Sequence, residues 1–183
     1  MNVMDTPTRQ RTRLIDGMLI AVYVGGIVLA NGLVTAFGQP ALPFTAFFLI
    51  PMDLVVRDLL QDRWQISSTS SKLRTRMLLL IAVGSLISFV TTIGSSRIAA
   101  ASMVAFAITG VIDAATYQMM IRYGRVFRIN AATIIAAFTD SIVFAAIAFD
   151  HVDDSLVLVQ AATKIVGGFV WSLLLFRYFI KRS

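Results

Sequence analysis

Six stretches of the chain read as near-continuous apolar runs separated by short polar joints, at about 14–37, 42–60, 77–95, 98–121, 129–149 and 155–178. Each is close to the roughly 20 residues that carry a helix across a hydrocarbon core. An open sheet cannot satisfy its backbone in lipid, so the pattern predicts an all-α bundle of six transmembrane helices. The joints alternate in charge. Arg9, Arg11 and Arg13 precede the first run, and Arg57, Arg63, Lys72, Arg74 and Arg76 lie at or between the ends of the second and third. Arg122, Arg125 and Arg128 join the fourth to the fifth, and Arg177, Lys181 and Arg182 follow the sixth. Of the 16 Lys and Arg residues, only Arg97 and Lys164 fall elsewhere, and the joint "DHVDDS" before the sixth run is acidic. By the positive-inside rule both termini are cytoplasmic. The first run has the basic flank of a signal peptide but is too long and has no clear small-x-small cleavage site, so it is read as retained. The serine-rich segment Gln65 to Lys72, "QISSTSSK", reads as a flexible cytoplasmic linker. Neither the two helices before it nor the four after it could bury their polar positions alone, so one domain over 1–183 is expected.

Composition supports the membrane class: 57% of the 183 residues are hydrophobic and 14% charged, against about half and a quarter in soluble domains. The net charge of +6 then reports sidedness rather than a nucleic-acid partner. The absence of cysteine excludes disulfides, thiolate metal sites and cysteine nucleophiles. There is no GxxxxGK[ST] loop, so no Walker-type ATP hydrolysis by this chain. The single histidine, His151, cannot build an HExxH site or a Ser-His-Asp relay. A weak metal site from His151, Asp150, Asp153 and Asp154 competes with the simpler reading of a solvated loop. An aspartyl enzyme would need paired carboxylates, and Asp113 with Asp140 have no surrounding motif to support one. The chain is therefore expected to be neither an enzyme nor a cofactor protein.

The informative residues are charges inside the runs. "LIPMDLVV", "TGVIDAAT" and "AAFTDSIV" each carry an aspartate (Asp53, Asp113 and Asp140), and Lys164 lies within the sixth run. Each costs roughly 2.5–3.5 kcal/mol near mid-bilayer, about 10–14 together. Such groups pair with one another or line a polar path. They are either structural ion pairs between helices or the walls of a functional cavity. Arg57, four residues after Asp53, has an intrahelical pair within reach or can snorkel to the interface. Asp140 and Lys164 lie at equal depth, each nine residues from the joint between the fifth and sixth runs, or roughly 13–14 Å. They are expected to pair. Pro51 removes a backbone donor and frees the carbonyl of Phe47, predicting a kink just before Asp53. The glycine pairs Gly25-Gly26 and Gly167-Gly168 read as sites of close helix approach. Among the aromatics, Phe44, Phe47, Phe48, Phe89, Phe144 and Trp171 could wall a planar ligand, while Trp64 and Tyr123 suit an interfacial belt.

Several of these residues resemble the queuosine precursor transporter family, also described as the vitamin uptake transporter family. The resemblance rests on Asn31 in "LANGLV", the segment through "IPMDLVVRD", the segment "RVFRINAATIIAAFTDSIVFAAIAF" and Lys164. In the fifth run Arg128, Asn130, Asp140, Ser141, Phe144, Ala148 and Phe149 match the family pattern. "VVRDLLQDRW" stands where members usually carry a glutamate and a glycine, and the chain is shorter than typical members. The resemblance implies a six-helix bundle similar to the substrate-binding subunits of energy-coupling-factor transporters, in the inner (plasma) membrane. It further implies uptake of 7-deazaguanines such as 7-cyano- or 7-aminomethyl-7-deazaguanine.

The expected site is Asn31, Phe44, Phe48, Asp53, Arg57, Asp113, Asn130, Asp140, Phe144 and Lys164. A guanine-like base offers an N–H beside an amino group, matching the two oxygens of one carboxylate, and its faces stack on aromatic rings. The alternatives are a vitamin-binding subunit dependent on a separate ATPase module, and a structural membrane protein. A homo-oligomer and an energising partner both remain open at this level.

Overall fold

The computed structural model describes residues 6–37, 39–91, 96–148 and 154–179. Phe149 and the joint bearing Asp150, His151 and Asp153 lie outside the described residues, as do Lys181 and Arg182. Six long helices run through the described residues. They are α1 (Thr6–Phe37), α2 (Ile50–Ser67), α3 (Ser70–Thr91), α4 (Ser96–Met119), α5 (Arg125–Ala148) and α6 (Asp154–Phe179). Five of them, all but α2, are long and apolar enough to cross a membrane. Their outward faces carry large apolar side chains, such as Leu79, Val83, Leu86 and Val90 along α3. This suits a hydrocarbon solvent, where the helix satisfies its own backbone.

The exception organises the rest. α2 carries Asp53, Arg57, Asp58, Asp62 and Arg63, a composition too polar to face lipid. Every side chain from Asp53 to Asp62 is buried, because α2 packs against each of the other five helices. It is the axis of the bundle, and the apolar helices form its sheath. Its expected kink takes a particular form. Gln39–Ala41 is a 3₁₀ turn, Leu42–Phe44 a single α-turn, and Thr45–Leu49 a π-helical turn leading into buried Pro51. Both α1 and α6 pack on this π-turn. The indole N–H of Trp171 donates to the Phe48 carbonyl at 2.8 Å. Gly167 lies so close to the Phe47 carbonyl oxygen that any Cβ there would collide with it. α6 thus seals the backbone that Pro51 and the π-turn disturb, which is the condition for irregular backbone at membrane depth. Gly168 makes a similar approach to Thr133 of α5, so the second glycine pair serves packing.

Two expectations are corrected here. The stretch from Gln65 to Lys72 is not a flexible linker. α2 runs on to Ser67 and α3 begins at Ser70, with an N–H of Leu73 donating to the Thr69 carbonyl at 2.9 Å. Serine favours turns and helix ends as much as loose chain, and here it makes a two-residue turn. Trp64 is not in an interfacial belt. It is buried in an apolar cluster with Leu19, Tyr23 and Leu60, its N–H donating to Asp16 at 3.1 Å. Tyr123 is exposed at the basic end. That end is stitched by further ion pairs, Arg63 with Asp16 at 2.7 Å and Asp62 with both Arg125 and Arg128.

Candidate functional site

Opposite the basic end, α1, the π-turn and helices α3 to α6 diverge around a pocket whose floor is the start of α2. The volume open to water centres is about 120 Å³, room for several waters and hence for a small organic ligand. Much of its lining is apolar, from Ile27, Ala30 and Val34 of α1, Ala105 and Phe106 of α4 and Phe144 of α5. Polar groups are set among them, at Asn31, Thr45, Asp53, Ser88, Ser102, Asp140, Gln160 and Lys164. An apolar enclosure with a few placed polar groups is the usual make-up of a small-molecule site.

The charged part of the floor comes from three helices. Lys164 of α6 donates from Nζ to Asp140 Oδ2 at 2.7 Å and to Ser141 Oγ at 3.0 Å. The pairing expected from equal depth is therefore present, and it engages two of the three ammonium donors of a lysine that is 2% exposed. Across the floor stands Asp53, 4% exposed, with Oδ1 buried and without a hydrogen-bond partner. Burying a carboxylate oxygen without a donor is costly, so this atom needs a donor that the described residues do not supply. Asn31 uses its amide N–H groups on Ser88 Oγ at 3.1 Å and Thr91 Oγ1 at 3.0 Å, leaving its carbonyl oxygen as an acceptor. Ser88 and Ser102 share a hydrogen bond of 2.8 Å and tie α3 to α4 at the pocket wall.

The structure brings Asn31, Asp53, Asp140, Phe144 and Lys164 together and leaves the other expected site residues elsewhere. Phe44 and Phe48 stack on each other at 5.0 Å on the outer surface, 50% and 42% exposed. Counting back from Asp53 in fours gives Leu49 and Thr45, both in the pocket, and turns the two phenylalanines outward. Arg57 forms neither the intrahelical pair nor a snorkelling contact. It reaches across to α4, donating from Nε and Nη2 to Asp113 Oδ2 at 3.0 and 2.6 Å, beneath the pocket and fully enclosed. Asn130 joins α5 to α6 near the basic end, donating to Ser172 Oγ at 3.1 Å. Arg128, in the same segment, lies over the ring of Tyr117 at 4.5 Å. Sequence reasoning missed Thr45, Ser88, Ser102, Phe106 and Gln160. Gln160 had a signal, since it lies one turn before Lys164 and so shares its face. The serines had none, because isolated hydroxyls are common in membrane helices.

A multi-pass helical membrane protein with a charged-floored pocket has the make-up of one that holds a small solute. The chain is a member of the family described as "Putative vitamin uptake transporter", whose model matches residues 44–182. No match was found among curated proteins or among solved structures. The matched region includes Asp53, Asp140 and Lys164 and leaves the α1 wall, with Asn31, outside it.

Proposed function

We propose that this transporter takes up a neutral planar base of the 7-deazaguanine type, a queuosine precursor, across the inner membrane. The observation that carries the reading is the unpartnered Asp53 oxygen on the floor of the pocket, beside an Asp140–Lys164 pair that satisfies itself. A guanine edge presents two adjacent N–H donors, which fit one carboxylate as a pair. Phe106 and Phe144 supply faces for the bicyclic ring. A base that carries no net charge suits a pocket where Lys164 already neutralises Asp140.

The test is binding of 7-cyano-7-deazaguanine to the purified protein, followed by thermal stabilisation, since a ligand of the folded state raises apparent stability. Asp53→Asn exchanges one acceptor for a donor and is expected to weaken binding roughly 10- to 100-fold, with the unliganded protein still extractable and folded. Uptake of labelled base into cells unable to synthesise it, with this chain as the sole transporter, should fall in parallel. Unchanged affinity in Asp53→Asn would overturn the recognition scheme.

A further inference from the structure

Beneath the pocket the three carboxyls of Asp53, Asp58 and Asp113 surround one cation, Arg57, all of them at most 4% exposed. Arg57 gives both its contacts to Asp113 Oδ2. Asp113 Oδ1 and both oxygens of Asp58 are buried and receive no donor from the rest of the protein. Asp58 and Asp113 are neighbours across the α2–α4 contact. Ionised carboxylates only accept, and burying both Asp58 oxygens without a donor beside a second carboxyl is costly, so the arrangement favours a proton on one of the two acids.

The surroundings sharpen this. On α2 the pair faces Arg57, with Asp53 toward the pocket and Asp62 toward the basic end. α4 adds the buried, unpartnered hydroxyl of Tyr117, and α5 adds Arg128, already engaged by Asp62. From α1 the Tyr23 hydroxyl donates to the Leu80 carbonyl at 3.2 Å. α6 contributes Lys164, which is held by Asp140 on the far side of Asp53. The face that α3 buries is uncharged. Asp53, Asp58 and Asp62 thus follow one another along α2 over roughly 13–14 Å, with Asp58 and Asp62 one turn apart on one face and Asp53 turned toward the pocket.

We propose that the Asp58–Asp113 carboxyl pair is a proton-binding site that couples substrate uptake to inward proton movement. The step is a simple transfer. The carboxyl pair accepts a proton from the pocket side in the state open to substrate, and releases it toward Asp62 and the cytoplasm in the state that lets substrate go. No covalent bond to substrate forms. The coupling half of the proposal rests on the uptake reading above, and the proton-site half does not.

Two measurements on the full chain test it. Asp58→Asn keeps an N–H donor toward Asp113, mimicking the protonated acid, and should fold. Infrared spectra of the reconstituted, ligand-free protein should show a protonated-carboxyl carbonyl band that shifts in D₂O and loses intensity in Asp58→Asn. Asp53→Asn serves to separate any contribution of that carboxyl. An undiminished band in Asp58→Asn overturns the proton site. In proteoliposomes, an inward proton gradient should drive labelled 7-cyano-7-deazaguanine above its equilibrium level. Asp58→Asn should still exchange labelled for unlabelled base but accumulate none beyond the no-gradient control. Accumulation driven by sodium instead, or unaltered in the variant, overturns the coupling. Should the base not bind at all, the uptake reading fails while the infrared result still decides the proton site.

Discussion

Arg57→Met is expected to destabilise the protein by about 3–5 kcal/mol, the usual consequence of removing one partner of a buried ion pair. The pair could hardly be more enclosed, with side chains 1% and 0% exposed. The guanidinium lies against Gly110, where a Cβ would press on Nη1, and 6.0 Å from the Phe106 ring. Methionine fills similar space but removes both hydrogen bonds that Arg57 gives Asp113 and leaves three carboxyls around no cation. Thermal unfolding in detergent should show a large loss, with much of the protein aggregating on extraction. Replacing both partners, Arg57→Met with Asp113→Leu, should recover at least half of that loss, because the carboxylate that Arg57 bonds directly is removed together with it. Equal instability in the single and double variants would mean that the ion pair is not the source.

The second large effect concerns the pocket. Lys164→Ala removes the only cation among the described residues that contacts Asp140 and also frees Ser141 Oγ. Affinity for the 7-deazaguanine probe should fall roughly 10- to 100-fold, close to the fall in Asp140→Ala. The two losses should not add, because either substitution already destroys the same unit. The measurement is a double-mutant cycle on probe affinity, with folding checked by the unliganded melting temperature. Additive losses would show that Lys164 and Asp140 act on the ligand independently.

These two ion pairs illustrate what the sequence could reveal. Asp140 and Lys164 were paired correctly from residue counting alone, because adjacent antiparallel helices joined at one end fix the relative depth of their residues. Arg57 was misassigned because counting along its own helix offers Asp53, while the actual partner depends on how α2 packs against α4. The number and order of the helices were legible in hydropathy, but their ends were not. α1 begins at Thr6 and α2 ends at Ser67, since apolar runs mark only the part suited to lipid and polar turns extend beyond it. The facing of Phe44 and Phe48 was legible in principle from Asp53, by helical spacing. The π-turn before Pro51 was not, because Pro51 foretells a disturbance without its form.

The polar axis of the bundle has a consequence for how the chain is made. Asp53, Arg57 and Asp58 would cost roughly 8–10 kcal/mol if α2 met lipid by itself at insertion. Its principal neutralising contact, Arg57 to Asp113, lies 56 residues further along the chain, so synthesis must proceed well beyond α2 before that charge is matched. The two-residue turn at Ser68–Thr69 leaves α2 closely tethered to apolar α3, which can anchor the hairpin while α2 waits at the membrane surface or inside the insertion machinery. A nascent chain arrested after Thr91 should accordingly leave α2 open to protease, whereas one released after Phe179 should protect it. Protection already complete at Thr91 would show that α2 enters without its later partners. Biogenesis of this protein would then be the late threading of a charged core into a sheath, rather than a succession of independent insertions.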